Sequence, residues 1–301
     1  MNTYFVGGSP RSGTTLLQSI LCSDVRTNPL IRETHYLYKI VETYRHTVDS
    51  FDALESCHYF SSVEEVREVT RPWAEAFLSH VRARYSPASS LVLKYVGLTQ
   101  LYPALAELLP DARLILIVRD PKDTIGSLIE VGKKSAEQGK RNNFPSVTDK
   151  LISFYRSFYE PSLSCRESSF RARLHLVRYE DLVRDPASEI ARLEDFTGLS
   201  LRGFNPDGEW SRQQVDFAKD RENNNPWITE LNGGAVSESR LGRYREVMSE
   251  AEAAGIERAC AHIMDAFGYR SSAERTTGQP EPKLETCETK SFRTSADNSC
   301  T

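Results

Sequence analysis

Apolar residues along this chain fall into two alternating patterns. Short, nearly unbroken runs occur at Thr3–Gly7, Leu91–Val96 (LVLKYV), Arg113–Arg119 (RLILIVR) and Leu174–Arg178. They are brief and rich in branched side chains, as expected of strands buried on both faces of a parallel sheet. Between them the apolar period lengthens to three and four residues. This predicts helices over Thr14–Leu21, Thr34–Val48, Ser62–Arg84, Leu101–Leu109, Ala187–Phe196 and Tyr244–Phe267. In the third of these, Val66, Val69, Trp73, Phe77 and Val81 trace one amphipathic face. Strands alternating with helices imply a parallel α/β sheet with right-handed crossovers.

Two segments break the pattern. From Ser271 onward bulky residues give way to Ser, Thr, Glu, Lys and Pro. Such a segment buries too little apolar surface to offset its ordering entropy, so one domain over 1–270 and a disordered tail over 271–301 are expected. The polar, basic stretch Gly132–Asp149 reads either as a solvated loop or as a lid over an acceptor.

Composition narrows the class. Of 301 residues, 39% are hydrophobic and 27% charged, and the net charge is −4, which argues against general nucleic-acid binding. The six cysteines form no C-x-x-C pair and the histidines no metal spacing, so reduced thiols and no metal are expected. No apolar run approaches the ~20 residues of a membrane span. The first strand begins within three residues of Met1, leaving no room for a signal core, so a cytoplasmic location is expected. A lumenal enzyme trimmed of its anchor is the exception.

The chemistry concentrates after the first strand, in GGSPRSGTTLL (Gly7–Leu17). A glycine-rich turn between a strand and a helix lets backbone N–H groups and the helix N-terminus converge on an anion. Gly8 and Gly13 have Walker A spacing, but Thr14 stands where the Walker lysine belongs and the cation is Arg11, after Pro10. A planar guanidinium there offers fixed donors to a leaving or arriving anionic group. Downstream, Arg119 at a strand end and Ser127 eight residues later, about two helical turns on, can converge on a second anion.

Pro10-Arg11-Ser12-Gly13-Thr14-Thr15 resembles the 5′-phosphosulfate loop of sulfotransferases that use 3′-phosphoadenosine 5′-phosphosulfate (PAPS). Arg119 and Ser127 match that superfamily's R-x7-S motif for the 3′-phosphate. The resemblance implies a P-loop-like three-layer α/β fold with a central parallel sheet flanked by helices, PAPS as co-substrate, and no magnesium. It implies that Pro10, Arg11, Ser12, Gly13, Thr14, Thr15, Arg119 and Ser127 hold the donor, with Arg11 near the leaving group. Two looser segments are similar to further donor contacts. In VRYEDLVRDP (Val177–Pro186) Tyr179 would sit near the nucleotide and Asp181 would anchor the turn. In SESRLGRYR (Ser237–Arg245) Ser239, Arg240 and Arg243 would close over it.

An acceptor hydroxyl must lose a proton as it attacks, so a positioned base is expected. Cytosolic small-molecule sulfotransferases carry K-T-H on the second strand; here the stretch is Lys94-Tyr95-Val96, with no histidine. Arg32-Glu33-Thr34-His35 resembles instead the E-T-R-like segment of tyrosylprotein sulfotransferases. That resemblance makes Glu33 the general base, with His35 orienting acceptor or sulfate and Lys94 stabilising the transferring group beside Arg11. The bland alternatives are a helix N-terminal acid for Glu33 and an ordinary surface histidine for His35.

The acceptor carries a hydroxyl, on a peptide tyrosine, a carbohydrate or a small-molecule alcohol; a homodimer is compatible with the sequence. A P-loop kinase-like phosphotransferase, with Asp120 as a magnesium ligand, and a non-catalytic nucleotide-binding protein of the same fold are the competing readings.

Overall fold

A computed structural model describes residues 2–269 except Leu54, Asn142, Asn143 and Pro145. The expected tail over 271–301 lies outside the described residues. The sheet has four parallel strands in the order β2-β1-β3-β4: β1 Thr3–Gly7, β2 Leu91–Lys94, β3 Ala112–Val118 and β4 Leu174–Arg178. Phe5 aligns with Leu93 on one side and Leu114 on the other, and Ile117 with Val177. The first strand is therefore central, and the loop that leaves it opens at the middle of the sheet's C-terminal edge, where open α/β sheets bind ligands.

Strand alternation divides the interior into two cores. Phe5, Leu93, Leu114 and Leu116 face a large cluster shared with α2 (His35–Asp49), α3 (Val63–Arg84), α4 (Tyr102–Leu108), α5 (Pro121–Glu137) and α6 (Asp149–Ser157). Tyr4, Val6, Ile115, Ile117 and Val177 face the other, built with α1 (Thr14–Leu21) and the helix Pro186–Thr197. The result is the expected three-layer fold.

Several boundaries differ from the periodic reading, each for a local reason. The second strand stops at Lys94, and a 3-10 turn over Val96–Leu101 precedes α4. The last helix spans Glu250–Ala266 rather than starting at Tyr244, because Ser249 and Glu252 form a reciprocal capping box there. Gly132–Glu137, expected in a loop, continues α5.

The α3 stripe is the larger departure. Val66, Ala74, Leu78 and Val81 are buried, but Val69 is 51% and Trp73 64% exposed. Leu78→Ala should therefore cost about 2–5 kcal/mol, whereas Trp73→Ala should stay within about 0.5 kcal/mol. Urea unfolding of both variants checks this; equal losses would mean that the stripe is core after all.

Candidate active site

The loop is built by close approach. A Cβ on Gly7 would lie 2.3 Å from the Tyr102 hydroxyl, which donates to the Phe5 carbonyl at 2.9 Å. The Gly8 N–H donates to Thr99 Oγ1 at 2.9 Å and the Ser9 N–H to the Tyr159 hydroxyl at 3.1 Å. Buried Ser12 turns its hydroxyl inward, donating to the Ser9 carbonyl at 2.7 Å. Arg11 sits at φ 74° and Gly13 at φ 100°. A left-handed non-glycine residue costs about 1–3 kcal/mol and concentrates at functional sites. Gly13 has a further constraint: a Cβ there would lie 2.5 Å from the Tyr179 ring.

This path presents the start of α1 to the cleft. Among the described residues, the backbone N–H groups of Gly13, Thr14 and Thr15 have no protein acceptor. Helix-start N–H groups oriented this way form an anion site.

Beside them lies a basic cleft lined by Arg11, Thr14, Thr15, Arg119, Ser127, Tyr179 and Arg240. Arg11 Nε donates to Ser127 Oγ at 3.0 Å and Arg11 Nη1 to the Trp227 carbonyl at 2.5 Å. Arg119 donates to the Arg11 carbonyl at 3.2 Å and to the Arg240 carbonyl, and its guanidinium lies 4.8 Å from the Tyr179 ring centre. Burial, with Arg119 and Arg240 nearby, pulls the Arg11 guanidinium down to about 10. Counter-charge is sparse: Asp123 lies 3.8 Å from Arg119, and Glu130 lies 3.8 Å from Arg240. Arg119 Nε is buried with no acceptor among the described residues. A cluster of guanidiniums with an orphaned donor and unpaired amides fits a multiply charged anion.

Lys94 stands on the other side of the loop. Its side chain is 7% exposed, and its Nζ donates to Thr15 Oγ1 at 2.9 Å and Glu33 Oε1 at 2.7 Å. Glu33 Oε2 accepts from the Val96 N–H at 3.2 Å. Thr34, not Glu33, caps α2, accepting from the Tyr36 N–H. His35, the first residue of that helix, is exposed with its ring 4.6 Å from that of Tyr95. Arg11 is directed to Ser127 rather than to Lys94, and no hydrogen bond joins Arg11 and Lys94 among the described residues.

Later segments contribute differently from expectation. Arg240 reaches the cleft, whereas Arg243 pairs with Glu246 at 2.8 Å and Glu130 at 3.5 Å in a neighbouring recess. Ser239 is exposed; Ser237 lines the cleft instead. Asp123 holds this segment in place, accepting from the Gly242 and Tyr244 N–H groups at 2.7 and 3.1 Å. Asp181 makes only a partly exposed contact with Arg178 at 3.7 Å. The anchor of that turn is buried Glu180, which accepts from the Asp120 N–H at 3.0 Å and the Tyr269 hydroxyl at 2.5 Å. Trp210, Asn232 and Val236 complete the cleft from a stretch without periodicity.

A parallel α/β sheet, a phosphate-type loop at its central strand and a guanidinium cleft beside it define a P-loop-like α/β fold with a basic cleft at its central strand. Residues 4–203 match the model of the sulfotransferase family, and the chain belongs to that family. It is 28% identical over 254 residues to carbohydrate sulfotransferase 5 of Mus musculus, covering 70% of this chain and 61% of that protein. It is 34% identical over 97 residues to omega-hydroxy-beta-dihydromenaquinone-9 sulfotransferase Stf3 of Mycobacterium bovis, covering 32% of this chain and 25% of the relative. The chain thus spans less than two thirds of either relative. The sulfotransferase domain from the curacin biosynthetic pathway has the same fold, with a TM-score of 0.51 at 18% identity over 86% of this chain and 96% of that one.

Asp120 gives the site a pH signature. Its side chain caps α5, accepting from the Lys122 N–H at 2.8 Å, with Lys122 Nζ at 3.6 Å. Burial pushes its carboxyl from 3.8 up to about 6, against the pull of Lys122. The folded state then binds more protons between those values, so this group's contribution to stability falls as pH rises through that window. Asp120→Asn, which keeps a capping oxygen, should gain stability over wild type by on the order of 2 kcal/mol between pH about 4 and about 7. Denaturant titrations at the two pH values measure it; a pH-independent difference would refute the assignment.

Proposed function

We propose that this chain transfers the sulfuryl group of PAPS to an acceptor hydroxyl. The observation that carries the reading is the guanidinium cleft of Arg11, Arg119 and Arg240 around Ser127, adjoining the unpaired amides of Gly13, Thr14 and Thr15. One adenosine donor with a phosphate at each end of its ribose suits two neighbouring anion sites of this kind. Arg119, Ser127, Arg11 and Arg240 then hold the 3′-phosphate. The amides and hydroxyls of Thr14 and Thr15 hold the 5′ end, and Tyr179 packs beside the loop. Arg11 is assigned here to the 3′ side because its Nε is bound to Ser127.

The donor supplies an activated sulfuryl group. Lys94, bound to Thr15, is placed to meet negative charge growing on the bridging oxygen, the step at which a fixed cation contributes most. Glu33, beside Lys94, then takes the acceptor proton. The acceptor oxygen forms its bond to sulfur as the bond to the bridging oxygen breaks, leaving 3′-phosphoadenosine 5′-phosphate. A magnesium-dependent kinase is disfavoured by Thr14 at the Walker lysine position and by Asp120, whose carboxylate is committed to the α5 cap. The relatives are named for carbohydrate and omega-hydroxy-beta-dihydromenaquinone-9 acceptors, so a hydroxyl is the acceptor group proposed.

Calorimetry with 3′-phosphoadenosine 5′-phosphate tests the donor site. Arg119→Ala and Arg11→Ala should each weaken binding at least tenfold, the loss expected of one desolvated charge-assisted contact of about 1.5–3 kcal/mol. Glu33→Gln should leave that affinity within about twofold while lowering kcat about 100-fold or more, the share of a general base. Undiminished kcat in Glu33→Gln would remove Glu33 from the mechanism. Absence of nucleotide binding by the unaltered protein would remove the whole reading.

A further inference from the structure

A second cavity opens beside Lys94, on the side away from the guanidinium cleft, with a volume of about 400 Å³. Most of its lining is apolar, including Ile31, Leu37, Phe77, Val81, Leu93 and Leu98. Of its six polar lining residues, Arg32, Thr34 and Lys94 are committed elsewhere, while Arg84, Tyr85 and Tyr95 also line it. Arg32 pairs with Asp220 at 2.7 Å, the Thr34 hydroxyl caps α2, and Lys94 holds Glu33 and Thr15. The apolar side chains of this wall suit an aliphatic body better than a sugar ring, which needs donors and acceptors around most of its edge.

The cavity does not end at its mouth. Phe77 and Val81 belong to α3, and the same helix face continues outward through Trp73 and Val69, which are exposed. Residues four apart are neighbours on a helix, so Val81, Phe77, Trp73 and Val69 form an apolar track roughly 18 Å long at 1.5 Å per residue that winds from the cavity onto the exposed surface. Tyr36 on α2 flanks it, stacked on Phe77 at 5.2 Å and itself 62% exposed. Exposed aromatic surface continuous with a cavity marks a binding site more often than chance exposure does.

We infer that the acceptor is an alcohol with a long aliphatic body. Its hydroxyl enters at Lys94 and Glu33, its first carbons fill the cavity, and the rest of the chain lies along the α3 track. This rests on the sulfuryl-transfer reading and specifies its acceptor. The reaction balances as there: the alcohol proton passes to Glu33, the oxygen–sulfur bond forms, and the nucleotide bisphosphate leaves.

The test has separable arms. Turnover with labelled PAPS is measured against straight-chain primary alcohols of rising length, a small phenol and N-acetylglucosamine, with 3′-phosphoadenosine 5′-phosphate affinity measured in parallel. Expected is a rise in kcat/KM of about twofold to fourfold per added methylene until the track is filled, the increment of burying one such group. Trp73→Ala should raise KM at least about fivefold for the longest alcohols and leave the shortest unchanged. Phe77→Ala should raise it for both, and neither variant should change nucleotide affinity. Nucleotide binding with faster turnover of the phenol or the sugar would overturn the acceptor assignment and leave the donor reading standing. No nucleotide binding at all would overturn the donor reading first. A shift from dimer to monomer in Trp73→Ala by light scattering, with alcohol kinetics unchanged, would assign the track to a self-interface and end the proposal.

Discussion

The site depends on helix-start N–H groups left without protein acceptors, which is tolerable only because the turn that carries them is braced from below. Tyr102 on α4, Thr99 in the 3-10 turn before it and Tyr159 in the turn after α6 reach under the loop, where they take up the Phe5 carbonyl and the Gly8 and Ser9 N–H groups. Tyr102 and Tyr159 are fully buried, so these contacts are shielded from competing water. What they leave over, at Gly13, Thr14 and Thr15, is the part of the turn able to meet an anion. The same bracing accounts for Arg11 at positive φ: the backbone is held in a costly conformation by its surroundings, and the side chain is thereby delivered to Ser127.

From that turn, the polar groups divide into two neighbourhoods with opposite character. On one side, guanidiniums crowd together with little counter-charge, and Arg11 is depressed to about 10, a tension that a bound dianion relieves. On the other, Lys94 is already neutralised by Glu33. The unbalanced side is the one with the stronger field for an anion, and the Lys94–Glu33 pair is close to neutral as a unit.

How much of this was readable in the chain follows from what kind of signal each part leaves. PRSGTT was legible because a turn of this tightness restricts which residues fit, and Gly13 in particular has no room for a Cβ against Tyr179. Arg119 and Ser127 were legible because a strand end and a helix fix their spacing. Arg240 was harder to separate from Arg243, and Ser237 from Ser239. The 3-10 and irregular path after Asn232 has no period to say which side chain points inward, and Asp123 sets it from a distant helix. Glu180 was hidden behind its neighbour Asp181, since two adjacent acids on a short helix look alike until one is buried. The α3 stripe shows the limit of periodicity itself: the spacing of Val69 and Trp73 reveals a shared face but not what covers it.

The Lys94–Glu33 pair raises the question of whether a carboxylate already bound can serve as a base. A carboxylate offers about four lone-pair positions, and here Lys94 Nζ and the Val96 N–H take one on each oxygen. The remaining positions stay open to an acceptor hydroxyl. The two bonds also fix the carboxylate plane before any substrate arrives, so no reorganisation is needed at the moment of attack, which is where preorganised groups gain their advantage. Thr15 completes the coupling, because it lies at once in the donor cleft and on Lys94. Under the proposed reaction, a donor that drew Lys94 toward its own oxygens would loosen the cation's hold on Glu33 Oε1, the oxygen proposed to receive the proton. The loop, the lysine and the glutamate are thus joined in one hydrogen-bonded chain that runs from the guanidinium cleft to the carboxylate.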